Sequence, residues 1–286
     1  MEKIYVTTNF LEVSESALNY AAELAKQTGA ELTLIHAYHL FPYYSDMYAT
    51  MRYAQSKRMK EDAEVKMRKW CEKNAPSDEF RCKIINREGL SRDVIIDVVN
   101  QSPPDLLIMG THKAWLIDKV IFGSKTGQVL PEISCPLLVI PENTPYVPFS
   151  QIVFATDFQD SDLDSIQILV DLAAPLNGTI HVLHVVNDDD PTSTYDITYF
   201  EDFKKEVTSK VDYPHINFEL VHATKLVKEL NNYTKASNAN LLVMSQTYKN
   251  WYVRLFHASV TQKQFYRITI PTLFFKGLPD DSIGDF

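Results

Sequence analysis

With 286 residues, 45% of them hydrophobic and 23% charged, the chain has room for two domains with ordinary hydrophobic cores. Its net charge is −9. Up to Pro148 the chain contains 17 Lys and Arg residues and 19 Asp and Glu residues, and beyond it 11 Lys and Arg residues and 18 Asp and Glu residues. Neither half has the basic excess of a nucleic-acid-binding protein. No apolar run approaches the roughly 18 residues of a membrane helix, and the first residues lack a signal-peptide pattern. The sequence therefore predicts a cytoplasmic protein that binds neither nucleic acid nor membrane.

The first 142 residues alternate short apolar runs with longer amphipathic stretches. The runs have the length of buried strands and include Val6, 34–35, 84–85, 106–108 and 137–140. The amphipathic stretches predict helices from Ser14 onward and over 45–74, 90–101 and 124–130. Because strands that alternate with helices form parallel sheets covered on both faces, the pattern predicts a doubly wound α/β domain with a five-stranded parallel sheet. Ligands of such sheets bind at the carboxyl ends of the strands.

The same pattern then occurs a second time. Four pairs of segments match in the same order, namely 3–10 with 151–158, 32–38 with 180–186, 105–109 with 240–244, and 135–140 with 270–275. Such collinear self-similarity indicates a duplicated domain, and a proline-rich stretch between the copies reads as a linker. We therefore predict α/β domains at 1–142 and 151–277, a linker at 143–150 and a tail at 278–286.

Neither the cysteines nor the histidines have the spacing of a disulfide framework or a metal site. Cys71, Cys82 and Cys135 are odd in number and unrelated in spacing, so we expect ordinary thiols. His36 and His39 are three residues apart in a predicted strand and should point to opposite faces. We expect no metal site.

The loop after the first strand is one candidate for chemistry. It contains Thr8 and Asn9 in the first copy, and Thr156 and Asp157 in the second. An acidic side chain here can accept hydrogen bonds from an adenine amine or a ribose hydroxyl. Asn and Asp also cap a following turn or helix equally well, so both interpretations stay open.

The loop after the fourth strand carries two glycines and the start of a helix. Gly110 permits a tight turn off the strand, and Gly123 permits the backbone to approach a ligand closely. Ser124 and the first N–H groups of the helix suit an anion, and Lys113 or Lys125 can add positive charge. The same residues also fit a plain strand end and helix cap. Their spacing does not match a Walker A loop.

Taken together, these segments resemble the universal stress protein family in both halves. The resemblance rests on the first strand ending in Thr-Asn-Phe or Thr-Asp-Phe, the segment Asp-Leu-Leu-Ile-Met-Gly-Thr-His with its downstream Gly-Ser, and the closing Cys-Pro-Leu-Leu-Val-Ile. It implies ATP or AMP as a ligand, with Mg²⁺ accompanying ATP. The residues that the resemblance implies around the ligand are Thr8, Asn9, Ala37, Gly110, His112, Lys113, Gly123, Ser124, Lys125 and Thr126, with Asp157 in the second copy.

Both copies depart from the pattern of the family's nucleotide-binding members, Gly-x2-Gly-x9-Gly-Ser/Thr. In the first copy Lys113 stands at the second glycine, as a phosphate ligand or as a plug, and Asn9 stands where an acid is expected. The second copy keeps the acid as Asp157, but Ser245 and Ala258 replace glycines of the phosphate loop. We expect little or no triphosphate binding in the second half.

Two functions stay open. One is a stress-response protein whose first half binds an adenine nucleotide without rapid turnover, as Gly123 and Ser124 suggest. The other is a nucleotide-free interaction module that docks an unknown protein partner, as Asn9 and Lys113 suggest. The sequence contains no Gly-x-Ser-x-Gly elbow or zinc-protease motif, and we do not expect an enzyme.

The fifth strands predict how the halves associate. In the strand order of the family these apolar strands lie at the sheet edge, where exposure is an aggregation hazard. Single-domain family members usually pair their fifth strands across a two-fold axis. We therefore expect an internal pseudo-dimer that buries Leu137 and Val139 with Leu273 and Phe275, and further homo-oligomers stay open.

Overall fold

In a computed structural model the chain divides into two compact units between Tyr146 and Val147. This division falls inside the predicted linker. The structure describes residues 1–39, 49–74, 81–112, 126–158, 161–187, 195–224, 226–246 and 269–276. Over these ranges, no helix combines the length and the apolar character that crossing a membrane requires.

The first half contains a parallel sheet in which β1 lies between β2 and β4. Strand β3 extends the sheet beyond β2 and β5 extends it beyond β4, which gives the order β3-β2-β1-β4-β5. The strands are β1 Lys3–Thr7, β2 Glu31–Tyr38, β3 Cys82–Glu88, β4 Leu106–Thr111 and β5 Leu137–Pro141. The predicted fold class is confirmed for this half.

Helices connect these strands, and their bounds are α1 Glu12–Thr28, α2 Ala49–Asn74, α3 Ser91–Gln101 and α4 Thr126–Val129. α1 forms because small apolar residues recur on one face, where Ala17, Ala21 and Leu24 are buried. It ends at Gly29, whose φ of 70° is the left-handed conformation that commonly closes a helix. α1 begins two residues before the predicted start at Ser14.

The second half repeats the arrangement, with its strands in the order β8-β7-β6-β9-β10 and all pairs parallel. Its strands are β6 Gln151–Ala155, β7 Thr179–Asn187, β8 Ile216–Ala223, β9 Leu241–Gln246 and β10 Thr272–Lys276. Its helices are α5 Ser161–Ala173, α6 Asp196–Lys210 and α7 Leu226–Ala236. The pairing of the two fifth strands stays a prediction.

Each sheet is buried on both faces. Consecutive residues of a strand point to opposite faces, yet Leu107 and Ile108 are both fully buried, as are Val243 and Met244. This explains why the central strands are continuous apolar runs and not alternating ones.

The expectation of three ordinary thiols is wrong for two of them. Cys71, in the last turn of α2, and Cys82, the first residue of β3, form a disulfide with a Cα–Cα distance of 5.8 Å. Only Cys135 keeps its thiol, and it is buried. The 11-residue separation carries no recognisable disulfide spacing, and the bond arises because α2 returns the chain to the edge of the sheet, next to β3.

Candidate functional site

A histidine fixes the loop that follows the first strand. The carbonyl oxygen of Thr8 accepts a hydrogen bond of 2.8 Å from Nδ1 of His36, which lies on the neighbouring strand β2. Phe10 has a φ of 60° and places its ring 4.6 Å from the His36 ring. Because a carbonyl only accepts, Nδ1 must carry the proton. The histidine is therefore part of the loop's framework.

Asn9 caps the turn through its side-chain oxygen. Oδ1 accepts a hydrogen bond of 3.0 Å from the N–H of Leu11 and lies 3.1 Å from the hydroxyl oxygen of Ser14. These two partners orient the amide, so that Nδ2 points to its other side. The capping interpretation is therefore realised, and the group that Asn9 can turn to a ligand is a donor, whereas an aspartate would offer an acceptor.

A cavity of about 200 Å³ opens at the carboxyl ends of β1, β2 and β4. It lies next to the capped turn and extends to the first residues of α3 and α4. The predicted site residues that line it are Thr8, Asn9, Ala37, Gly110, His112 and Thr126. Residues far apart in sequence thus meet at one cavity, in the position that a doubly wound sheet uses for ligands.

Four predicted site residues, Lys113, Gly123, Ser124 and Lys125, lie outside the described residues. At the boundary of that segment His112 is exposed, and its Nδ1 lies 2.7 Å from a carboxylate oxygen of Glu142. The roles of these four residues in phosphate binding stay predictions.

Several lining residues were not predicted. Val13 and Ser14 come from the first turn of α1, and Ser91 and Ile95 come from the first turns of α3. The helices that follow strands of a parallel sheet point their amino ends toward the carboxyl edge of the sheet. A polar residue at a helix start, such as Ser91, could therefore have been predicted from the sequence to line the cavity.

Gly110 has a structural reason of its own. A Cβ at this position would collide with the backbone carbonyl of Val13, because the first turn of α1 crosses directly over the end of β4. Close helix–strand packing therefore requires glycine here, whatever ligand is bound. In the second half the matching residue is Ser245, and its side chain is buried.

The second half repeats the framework. Nδ1 of His184 donates a 2.7 Å hydrogen bond to the carbonyl oxygen of Thr156, and Phe158 has a φ of 60° with its ring 4.2 Å from His184. The predicted site residue Asp157 is half exposed, with Oδ1 4.0 Å from His184 Nδ1. Where the first half has Ser14, the fully buried Asp162 accepts a hydrogen bond of 2.6 Å from the Thr156 hydroxyl.

The titratable pair with perturbed pKa values in the second half lies away from the strand ends. Tyr233 of α7 places its hydroxyl 3.2 Å from Nδ1 of His181, the third residue of β7. Burial, and after it the negative charge of Glu219, raises the pKa of Tyr233 to about 12, and burial lowers the pKa of His181. The pair lies toward the amino end of β7, opposite to the edge that binds ligands in such sheets.

Comparison with known proteins identifies the family of both halves. The model of the universal stress protein family matches residues 1–141 and, separately, residues 148–276. The chain belongs to the universal stress protein family. A universal stress protein of Methanocaldococcus jannaschii is 26% identical over 141 residues, which cover 49% of this chain and 81% of the relative. Another, of Synechocystis, is 36% identical over 59 residues, covering 21% of this chain and 38% of the relative.

Solved structures share the fold along nearly the whole chain. A universal stress protein of Archaeoglobus fulgidus superposes with a TM-score of 0.68 at 16% identity, covering 96% of this chain and 98% of that one. A functionally unknown protein of Pseudomonas aeruginosa gives a TM-score of 0.59 at 15% identity, with 97% and 93% covered. These likenesses show the tandem universal stress protein fold.

Proposed function

We propose that the first half of this universal stress protein binds an adenine nucleotide, ATP or AMP, and does not turn it over rapidly. The observation that carries the proposal is the cavity of about 200 Å³, to which six predicted site residues converge from separate strands and helices. A concave site with a few convergent polar groups is the usual form of a small-molecule site.

The lining suggests how a nucleotide would be held. Ala37 leaves a flat, small surface for a base, and Nδ2 of Asn9 is a donor suited to a ring nitrogen. Gly110 and His112 lead toward the segment predicted to hold phosphate. Mg²⁺ would arrive with the phosphates of ATP, since no group of three acidic, histidine or cysteine side chains in the described residues could hold a metal.

Slow turnover is part of the same proposal. Hydrolysis needs a base that activates water. Among the described residues that line the cavity, His112 is the one side chain of that kind, and it is exposed. We expect nucleotide to be retained and not consumed.

The first test is to denature the purified full chain and identify released nucleotide by mass spectrometry. The second is calorimetry with ATP and AMP on Ala37→Met, which fills the cavity, and on Val185→Met, the matched change in the second half. We expect Ala37→Met to weaken binding at least about tenfold and Val185→Met to leave it unchanged. Equal losses in the two variants, or no heat with either nucleotide on the unmodified chain, would contradict the proposal.

A nucleotide-free interaction module is the second candidate, and the size of the cavity favours it. About 200 Å³ is less than the roughly 300–1,000 Å³ of typical ligand pockets. The capping role of Asn9 Oδ1 also accounts for that residue without a ligand. Under this candidate, the mass spectra contain no nucleotide and the full chain retains a protein partner that Ala37→Met does not release.

A further inference from the structure

The disulfide between Cys71 and Cys82 lies at a reachable edge of the first half. It joins the last turn of α2 to the first residue of β3, and β3 pairs with β2 at the outer edge of its unit. Both cysteines are partly exposed, whereas Cys135 is buried. Small reductants and oxidants can therefore reach this pair, and exposed disulfides are the ones that are reduced most easily.

The second half has the corresponding helix and strand without a disulfide. There α6 and β8 form the same helix–strand unit, and the second half contains no cysteine. Apolar packing holds α6, because Phe200, Phe203 and Val207 are buried along its 15 residues. α2 is longer, with 26 residues, yet its described buried side chains are Ala63 and Met67. The disulfide thus supplements a helix that is weakly anchored by packing.

The same end of α2 contacts the loop beside the cavity. Nζ of Lys66 lies 5.4 Å from the centre of the Phe10 ring, and Phe10 follows the cavity residue Asn9 directly. Lys66 precedes Cys71 by five residues on one helix, about 7.5 Å along its axis. Lys66 thus places this part of α2 next to the loop that bounds the cavity.

We propose that Cys71 and Cys82 form a reversible redox site. Its oxidation links α2 covalently to β3 and reduces the motion of the loop beside the cavity. The oxidant is a low-molecular-weight disulfide of the glutathione type. One cysteine thiolate attacks a sulfur of that disulfide, forms a mixed disulfide and releases one small thiol. The second cysteine then attacks the protein sulfur and releases the other thiol. The protein loses two electrons and two protons, and the small disulfide gains both.

The redox step is tested on the full chain equilibrated in buffers of graded reduced and oxidised glutathione. Thiols are trapped by alkylation and counted by mass spectrometry. We expect Cys71 and Cys82 to change from two thiols to one disulfide together within this range, while Cys135 reacts only after denaturation. A pair that stays oxidised in excess reduced glutathione, or stays reduced in the oxidised buffer, would overturn the proposal.

The structural consequence is tested by hydrogen exchange, with α6 as the internal control. Reduction should speed exchange of the amides at the carboxyl end of α2 by about tenfold or more and leave α6 unchanged. The Cys71→Ser/Cys82→Ser variant should exchange like the reduced chain in both buffers. Unchanged exchange in α2 would refute the fastening role.

The effect on ligand rests on the proposed function, and we expect the oxidised chain to bind nucleotide more tightly than the reduced chain. Exchange and thiol counts are read without nucleotide. A chain that binds no nucleotide but passes both measurements would therefore refute the proposed function alone.

Discussion

The first and second halves can be compared atom by atom at the end of their first strands. Thr8 and Thr156 both accept a hydrogen bond from a histidine of the neighbouring strand, and the phenylalanine two residues later has a φ of 60° in each half. The backbone frame of the loop is therefore the same. A duplicated fold retains such a frame because a left-handed non-glycine residue persists only where its surroundings hold it.

The side chains around this frame differ in size and charge. At three matched positions the first half has a small side chain and the second half a larger or acidic one. The pairs are Ala37 and Val185, Ser14 and Asp162, and Gly110 and Ser245. In the first half all three positions line the cavity. The comparison teaches that the frame of the loop tolerates changes in the side chains around it, since three such changes leave the histidine hydrogen bond and the left-handed phenylalanine in place.

The largest effect that we expect comes from Gly110→Ala. Its Cβ would meet the Val13 carbonyl, so α1 must move away from β4, at a cost of about 3 kcal/mol in the free energy of unfolding. The control Ser245→Ala keeps a Cβ in place and should change the free energy of unfolding by less than Gly110→Ala does, because no backbone has to move. Hydrogen exchange of the backbone amides of β4 measures the stability of the first half, and exchange of those of β9 measures the stability of the second half. Equal costs would show that the two strand ends are packed alike.

A smaller effect is expected at Asp162. Asp162 is fully buried and accepts a 2.6 Å hydrogen bond from the Thr156 hydroxyl. Asp162→Ala should cost about 1–3 kcal/mol of unfolding free energy, because it leaves the buried Thr156 hydroxyl without this partner. The control Ser14→Ala removes a neutral hydroxyl and should cost about 0.5–1.5 kcal/mol. Urea unfolding measures both variants. If Ser14→Ala costs more than Asp162→Ala, the polar contact of the first half is the stronger one.

The smallest effect concerns acid sensitivity at the start of the first strand. Asp105 accepts hydrogen bonds from the N–H groups of Glu2 and Lys3, whereas the matching Asn240 accepts one from Gln151. Burial raises the pKa of Asp105. The two backbone donors and, to a smaller extent, nearby positive charges lower this pKa by more than burial raises it, so that it lies below 3.8.

This pKa fixes the direction of the pH dependence. A carboxyl group with a lowered folded-state pKa contributes stability above its unfolded pKa of 3.8 and loses that contribution as the pH falls through the folded pKa. Asp105→Asn reproduces the second half and should reduce the acid-induced loss in exchange protection of β1. Protection of β6 serves as the reference. Identical acid profiles of β1 in the variant and the unmodified chain would contradict this prediction.

The sequence by itself determined the duplication, the α/β class and most strands and helices. Periodicity carries this information, because short apolar runs such as 106–108 that alternate with amphipathic stretches are typical of strands buried on both faces, and the repeated order of motifs shows two copies. The resemblance to the universal stress protein family further implied six of the residues that line the cavity. Local pattern and chain order are enough for the duplication and the fold class.

Only the tertiary structure decided the contacts between distant segments. The requirement for Gly110 depends on the path of α1 over β4, and the Cys71–Cys82 bond depends on where α2 returns the chain. Neither has a local signal, because each is set by the distance between backbones that packing brings together. That distance also decides which residues meet at the cavity, where Ala37 of β2 and Gly110 of β4 both belong to the lining.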